Sequence, residues 1–344
     1  MRFKDNKMQK NSMKNTGMLF LAALIWGFAF VAQSAGMEYV GPFTFNAVRC
    51  IIGALVLVPV ALIYKPESNT EEQNKSSAKA ENSNINNMNS ISSADNIGNK
   101  ANRNSKNYTD STWFSRNKTL LLGGISCGTF LGVATNLQQI GIMSTSVGKA
   151  GFLTALYIVL VPIAGIFFKK KCPPTVWVGV ICSFIGLYLL CMTGGSFALA
   201  TGDLLLLGCA VVFTGHILVI DYFAPKVNGV WMSCIQFLTA GVISAVPMLL
   251  TETPTWEGIF AAKLPILYAG AMSCGVAYTL QILGQKNYNP TIAVLILSLE
   301  SCFSVLGGFL ILNETLSARE LCGCALMFAA IILAQLPGKR SQNE

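Results

Sequence analysis

The sequence predicts an all-α integral membrane protein with ten transmembrane helices in two inverted five-helix repeats around a central cavity. Hydrophobic residues make up 53% of the 344 residues and charged residues only 12%, about half the charged share that is usual in soluble domains. The hydrophobic residues fall in ten runs, most of them close to the ~20 residues that a helix needs to cross the bilayer core. Short motifs of the first five runs return in the last five. Composition, run length and repetition together predict this fold.

The ten predicted helices follow one another along the chain at 17–36, 42–64, 119–141, 147–168, 175–193, 201–223, 229–250, 263–285, 290–312 and 318–336. These runs do not alternate polar and apolar residues, as transmembrane strands would. The first run follows a basic stretch, as in a signal peptide, but it is longer than the about 7–15-residue core of such a peptide. We therefore expect it to remain as the first helix.

The positive charges predict the orientation of the chain. Most of the 24 Lys and Arg residues fall in the two tails and in alternate loops, which lie on one side if the helices alternate in direction. The positive-inside rule assigns that side to the cytoplasm. We expect a multi-pass protein of the plasma membrane, with the 1–16 tail and the 337–344 tail both cytoplasmic. The net charge of +8 is then a topology signal and requires no nucleic-acid partner.

A polar insert at 65–118 separates the second and third predicted helices. Its central segment, 66–111, is rich in Asn and Ser and has few large apolar side chains. Such a segment cannot bury enough apolar surface to offset the entropy lost on ordering. We expect a disordered cytoplasmic insert, which either only connects two helices or acts as a regulatory tether.

Internal matches divide the rest of the chain into two repeats, 17–64 with 119–193, and 201–336. The stretch "IIGALVLVPV" in the second run matches "TAGVISAVPM" in the seventh, and "LQQIG" closing the third run matches "LQILG" closing the eighth. The second match aligns Gly141 with Gly284. Because five is an odd number, the second repeat enters the membrane from the opposite side. Inverted repeats are typical of secondary transporters, whose binding sites lie near the midplane.

Longer motifs carry a resemblance to a known family. They are "LIWGFAFV", "FNAVRCIIGALVLVP", "GKAGFLTALYIVLVPIAGIFF", "GDLLLLGCAVVFTGHILVI" and "LILSLESCFSVLGGFLILNETLS". In this order they resemble the drug/metabolite transporter (DMT) superfamily, EamA type, over everything except the tails and the insert. The resemblance implies ten helices in two inverted repeats around a central cavity. It also implies transport of small metabolites, often amino acids, usually outward.

An acid, Glu300, lies in the middle of the apolar ninth run. An unpaired carboxylate in hydrocarbon costs roughly 3 kcal/mol or more. Glu300 is therefore either a protonated acid hydrogen-bonded to a neighbouring helix or a proton-coupling or substrate-amine site. The repeat sets Tyr157 opposite it, so we expect both to face the cavity. Many family members have proline after this acid, where this chain has Ser301, so the sequence leaves a kink in the ninth helix open.

Two cations, Arg49 and Lys149, lie in or at the edge of predicted helices. A cation belongs against lipid only if its long side chain reaches the interface, which Lys149 could do. A cation near a helix start and an acid near the middle could clamp a zwitterion, or they could form a gate.

The single histidine, His216, lies in the sixth run, five residues ahead of Asp221. It is either a neutral packing residue or part of a proton relay with Asp221. The sequence leaves both interpretations open.

Polar and aromatic residues recur at helical spacing on three further runs. They are Trp26, Phe30 and Gln33 in the first run, Asn136 and Gln139 in the third, and Cys274, Tyr278, Gln281 and Gln285 in the eighth. We expect these faces to point inward, because amide side chains are costly against lipid. They serve either a ligand or hydrogen bonds between helices.

The sequence shows no Walker loop, histidine cluster or paired catalytic groups, so we expect no enzyme, metal or cofactor. The leading hypothesis is a secondary transporter that moves small organic solutes, such as amino acids, metabolites or drug-like compounds, by alternating access, in the export direction. The expected partners are that solute, the lipid bilayer and, as an option, a coupling proton. The alternative is a non-transporting scaffold or receptor that recruits a partner through 66–117.

Overall fold

The computed structural model of the protein describes residues 2–63, 109–144, 153–168, 174–191, 201–312 and 317–335. Within these ranges every regular element is a helix and none is a strand. The predicted site residue Lys149 and most of the predicted insert lie outside the described residues.

The helices are numbered here in chain order. They are α1 (Arg2–Gly36), α2 (Pro42–Ile63), α3 (Thr109–Met143), α4 (Tyr157–Phe167), α5 (Pro174–Cys191), α6 (Thr201–Phe223), α7 (Gly229–Thr251), α8 (Trp256–Ala261), α9 (Lys263–Gln285), α10 (Pro290–Leu297), α11 (Glu300–Leu312) and α12 (Ala318–Gln335). Apart from the short α8, each of them overlaps one of the predicted apolar runs.

Seven helical stretches of the described chain are long and apolar enough to cross a membrane. They are Met13–Gly36, Pro42–Ile63, Lys118–Met143, Thr201–Phe223, Gly229–Thr251, Lys263–Gln285 and Pro290–Gly307. Shorter apolar helices at Tyr157–Phe167, Val176–Leu189 and Leu321–Leu333 lie at the other three predicted positions. The prediction of a helical, multi-pass membrane protein is confirmed, whereas ten crossings in two inverted repeats stay a prediction.

Two helices begin earlier than the hydrophobic pattern predicts. The first begins at Arg2 and α3 begins at Thr109, so the last ten residues assigned to the insert, 109–118, are helical. Hydropathy identifies only the part of a helix that lies in the hydrocarbon core of the bilayer. Further polar turns can continue the same helix beyond that part, since each helix makes its own backbone hydrogen bonds.

A ten-residue π-helix, Tyr268–Ala277, lies inside α9. Long π-helices are rare, and shorter ones often occur at functional sites. This one lies close against α2. A Cβ added at Gly270 would lie 2.8 Å from Ile52 and 3.0 Å from the carbonyl oxygen of Arg49. Glycine therefore lets the two backbones approach here.

The ninth predicted span is interrupted between α10 and α11, although the chain has Ser301, and not proline, after Glu300. The N–H of Leu299 donates to the carbonyl of Ile296 at 3.2 Å, and that of Ser301 donates to Ser298 at 3.2 Å. Such i→i+3 bonds tighten the helix locally. A tight turn therefore interrupts the helix directly before Glu300 without proline.

Ahead of Tyr157 the backbone has the same pattern. The N–H of Leu156 donates to Leu153 at 3.4 Å, and that of Ile158 donates to Ala155 at 3.0 Å. Tyr157 and Glu300 are therefore each the first residue of a helical segment that follows a tight turn.

A carboxylate from the end of α7 caps the start of α2. The Glu252 oxygens accept hydrogen bonds from the N–H groups of Phe43 (2.9 Å) and Thr44 (2.8 Å) and from the Thr44 hydroxyl (2.6 Å). Negative charge is favourable at a helix N-terminus, where backbone N–H groups lack partners. A side chain at Gly41 would overlap the Glu252 carboxylate, so glycine is needed there.

Candidate functional site

A cavity lies among α1, α2, α3, α4, α6, α9, α10 and α11. The cavity volume, counted as space for the centres of water-sized molecules, is about 50 Å³. A water needs roughly 10–15 Å³ on this measure, so the cavity has room for a few waters or a small polar group. A larger solute needs the walls to move.

Seven of the ten predicted site residues line this cavity together with the predicted neighbours Phe30 and Gln33. The seven are Trp26, Arg49, Tyr157, His216, Tyr278, Gln281 and Glu300. The sequence hypothesis that these residues share an interior space therefore agrees with the geometry. Their part in binding or coupling stays a prediction.

The acid of the ninth span is bonded to its expected counterpart. The Tyr157 hydroxyl donates to Oε1 of Glu300 at 2.8 Å. Both side chains are buried. Because Oε1 already has this donor, Oε2 is the oxygen left for a proton or a solute.

Arg49 brings a permanent positive charge into the cavity. Its side chain is 4% exposed, and its Cζ lies 5.6 Å from the centre of the Phe45 ring. Its Nε has no hydrogen-bond partner among the described residues. An interior charge is costly unless it is compensated, so this guanidinium favours an anion in the cavity.

Five rings form a continuous chain of contacts around the cavity. Centroid distances are 4.6 Å from Trp26 to Tyr278, 6.1 Å from Tyr278 to His216, 6.4 Å from His216 to Phe213 and 6.5 Å from Phe213 to Tyr157. Aromatic pairs at such distances pack favourably. These five rings, called the aromatic belt below, offer flat apolar surfaces to a solute.

His216 is bonded to α7. Its Nε2 lies 3.2 Å from Oε1 of Gln236. An amide oxygen can only accept, so the Nε2–H group donates. Within the described part of the chain its Nδ1 has no partner. The bond to Gln236 fits the packing interpretation, and the bare Nδ1 leaves one ring atom for the cavity.

Two of the predicted site residues that the structure describes, Asn136 and Gln139, do not line the cavity. The Asn136 Oδ1 accepts from Nδ2 of Asn46 (2.9 Å) and from the Ser244 hydroxyl (3.0 Å), so it joins α2, α3 and α7. Gln139 is fully buried, and its amide has no partner in the described ranges. Asn136 therefore fits the alternative of a hydrogen bond between helices.

The cavity wall also contains residues that sequence reasoning missed. They are Ala29, Gln138, Thr154, Phe213, Ile217, Ser273 and Leu297. Gln138 is the immediate neighbour of the predicted Gln139, so the inward face of α3 was misplaced by one residue, which is about 100° around a helix. The repeat spacing would have found several of the others, as described below.

No cluster of three or more His, Cys, Asp or Glu residues that could hold a metal occurs in the described residues. The described residues of the cavity wall offer hydrogen bonding, one fixed cation (Arg49), one acid (Glu300), one imidazole (His216) and aromatic surface.

Comparison with known proteins gives the family. The sequence profile of the EamA-like transporter family matches residues 15–78 and 200–336. The chain belongs to the EamA-like transporter family. This confirms the resemblance seen in the motifs, and it makes this EamA protein a multi-pass member of a family of membrane transporters.

Two individual matches cover most of the chain. An uncharacterized transporter of Archaeoglobus fulgidus is 26% identical over 319 residues, which are 92% of this chain and 84% of the relative. A protein of known crystal structure is 19% identical with a TM-score of 0.68, over 96% of this chain and 99% of the other. That second likeness concerns the fold alone.

Proposed function

We propose that this EamA protein is a secondary transporter that exports a small organic solute across the plasma membrane by alternating access. In this proposal ten helices form two inverted repeats, α1–α5 and α6–α12, with the cavity on the approximate twofold axis between them. The main support is that most cavity residues fall in pairs that the repeat relates.

The packing of the helices fits a twofold relation. Under the repeat, α2 corresponds to α7 and α5 corresponds to α12, and the members of each pair pack against each other. Under the repeat α3 also corresponds to α9, and α6 corresponds to α1. A contact of α3 with α6 therefore requires a contact of α9 with α1, and both contacts occur. A twofold axis requires such reciprocal contacts.

Two glycines matched in the sequence have matching surroundings. A Cβ at Gly141 would lie 2.6 Å from Cγ of Leu206 and 3.1 Å from the carbonyl oxygen of Gly202. A Cβ at Gly284 would lie 2.9 Å from Cγ of Leu19 and 3.2 Å from the carbonyl oxygen of Asn15. In both places the partners are a leucine and the carbonyl four residues before it.

The cavity wall follows the same relation. Tyr157 and Glu300 are 143 residues apart in the chain, and the same spacing relates two more pairs that line the cavity. A second constant spacing relates residues of α1 and α6. The pairs are Gln138 with Gln281, Thr154 with Leu297, Tyr157 with Glu300, Trp26 with Phe213, Ala29 with His216, and Phe30 with Ile217. These pairs support a cavity that is shared equally by the two repeats.

The tight turns before Tyr157 and Glu300 add to this support. Secondary transporters with inverted repeats commonly build midplane sites from interrupted helices. Here two interrupted helices meet through the Tyr157–Glu300 hydrogen bond. In this mechanism the two repeats rock against each other, and the cavity opens first to one side and then to the other.

Transport by the purified protein tests the proposal. The full chain is reconstituted in sealed liposomes, and the exchange of a broad metabolite panel is measured against empty liposomes. We expect flux of at least one small polar solute. Absence of flux for the whole panel, with correct folding shown by thermal unfolding, would contradict the proposal.

A matched pair of variants assigns that flux to the cavity. Ala29 lines the cavity, whereas Ala329 is exposed on α12. We expect Ala29→Phe to fill the cavity and stop flux, and Ala329→Phe to leave flux unchanged. Equal loss in both variants, with both folded, would contradict a path through this cavity.

Protease protection of tagged termini tests the proposed topology. An epitope tag at either end of the chain should be cleaved in inside-out vesicles and protected in intact cells, because five helices per repeat return both ends to the cytoplasm. Opposite behaviour of the two tags would rule out ten crossings.

A further inference from the structure

Two charges share the cavity without forming an ion pair. Arg49 and Glu300 both line it, and both act electrostatically on Tyr278. Within the described residues no ion pair of Arg49 occurs. The cavity thus holds one charge that is fixed and one that a proton can remove.

The wall near Arg49 has donors that lack acceptors. Among the side chains that the structure describes, Nε of Arg49 and Nε1 of Trp26 are buried without partners. Neither group can accept a hydrogen bond. The Oε1 atoms of Gln33 and Gln281 also lack partners, and as acceptors they can each take a hydrogen bond from a ligand or a water. A carboxylate, with acceptor oxygens and negative charge, satisfies the donors of Arg49 and Trp26.

We infer that the cavity binds an organic monocarboxylate, with its carboxylate on Arg49 and its flat apolar body against the aromatic belt, and that a proton on Glu300 binds together with it. The inference deepens the proposed transport function and rests on it for its physiological meaning. Binding itself can be measured without transport.

Charge balance in a buried space explains why proton and anion bind together. In the empty cavity Arg49 and an ionised Glu300 together leave the shared space without net charge. When a monoanion binds to Arg49, the ionised Glu300 becomes an uncompensated charge of the same sign as the ligand, which a low-dielectric interior penalises. Protonation of Glu300 removes that penalty. The solute and the proton therefore favour each other's binding.

Other titratable groups face Glu300 from the elements packed around it. They are Tyr157 of α4, Cys209 and His216 of α6 and Tyr278 of α9, with the charged Arg49 of α2. Of these groups only His216 has an ordinary pKa near neutral pH, so the experiment must separate its titration from that of Glu300.

The test uses three probes with one phenyl ring and different charged groups. They are 3-phenylpropanoate, L-phenylalanine and 2-phenylethylamine, a monoanion, a zwitterion and a cation. Calorimetric titration of the full chain in detergent gives the dissociation constants at about pH 6 and about pH 8, where a carboxyl group with a pKa of about 4 stays ionised. We expect 3-phenylpropanoate to bind, more tightly at the lower pH, by up to about tenfold per pH unit for one coupled proton.

Variants assign each half of the inference. Arg49→Gln should abolish 3-phenylpropanoate binding. Arg319→Gln is the matched control, because Arg319 is exposed and its Cζ also lies 5.6 Å from a ring centre, that of Tyr188. Glu300→Gln, a neutral copy of the protonated acid, should keep binding and lose its pH dependence. His216→Asn removes one ring of the aromatic belt, so it should weaken binding at both pH values and leave the pH dependence unchanged.

Several outcomes would overturn the inference. They are tighter binding of 3-phenylpropanoate at the higher pH, a preference for L-phenylalanine or 2-phenylethylamine, no binding of any probe to folded protein, and pH dependence that survives Glu300→Gln but disappears in His216→Asn. The proposed transport function fails separately: carboxylate binding without any flux contradicts transport alone, and flux restricted to cations contradicts this inference alone.

Discussion

The segment that begins at Tyr157 and the segment that begins at Glu300 have the same backbone and different chemistry. Each follows a tight turn with i→i+3 hydrogen bonds at corresponding positions, and each contributes one end of the 2.8 Å bond between them. One carries a phenol, which stays neutral near neutral pH, and the other carries an acid. The comparison supports a proposal in two parts: the repeat fixes where the cavity lies, and the side chains that differ between its halves fix what the cavity binds.

The largest expected effect comes from removing the acid. Glu300→Gln should lower flux by about tenfold or more and leave the remainder insensitive to pH, because ionisable groups within a membrane protein usually serve its ion or substrate path. Initial rates in liposomes over a series of pH values measure this. Thermal unfolding must remain near normal, since a variant that fails to fold would favour a purely structural role for Glu300.

Exchanging the two residues sharpens the comparison. Tyr157→Glu alone brings two carboxyl groups together, and we expect flux to fall by roughly tenfold because like charges at one buried site are unfavourable. Tyr157→Glu combined with Glu300→Tyr restores one phenol and one acid, so flux should recover to within a few-fold of the native rate. No recovery in a folded double variant would show that the two positions are not equivalent.

The paired glycines allow a test through stability. Gly141→Ala and Gly284→Ala should each lower the free energy of unfolding by about 1–3 kcal/mol, the usual cost of overpacking. Gly208→Ala is the control, because a Cβ there would meet only Leu137 at 3.8 Å. Unfolding in mixed micelles measures all three, and unequal losses at Gly141 and Gly284 would weaken the twofold relation.

The smallest effect is expected for Tyr157→Phe. It removes the hydrogen bond to Glu300, and such bonds inside membrane proteins contribute about 0.6 kcal/mol on average and up to about 2 kcal/mol. Tyr268→Phe is the matched control, because the Tyr268 hydroxyl donates only to the carbonyl of Ile25, at 3.1 Å. If Tyr157→Phe leaves the pH dependence of flux unchanged while stability falls, the phenol serves packing rather than coupling.

Hydropathy predicted most helix positions because polar residues in lipid carry a large cost. The predicted runs 201–223 and 263–285 have the bounds found for α6 and α9. The π-helix inside α9 could not be predicted, since hydropathy does not distinguish it from an α-helix. Its close packing on α2 at Gly270 is a contact between distant parts of the chain. The turn before Glu300 was equally hidden, because no proline marks it.

The site shows the same division. Arg49 and Glu300 were predictable because a charge within an apolar run must face the interior. Asn136 could not be distinguished from a ligand-binding amide, because either use satisfies its hydrogen bonds. Phe213 is apolar and could face lipid at no cost. Only its pairing with Trp26 under the proposed repeat identifies it as a cavity residue.

The cap on α2 has a consequence for how the protein is made. Thr44 receives its cap from a residue that follows 208 positions later. While the ribosome is still adding the intervening helices, the opening turn of α2 has only solvent or lipid headgroups to meet its amide hydrogens. The first hairpin is therefore completed by one of the last parts of α7 to emerge, so the amino-terminal half reaches its final form only after much of the carboxyl-terminal half exists.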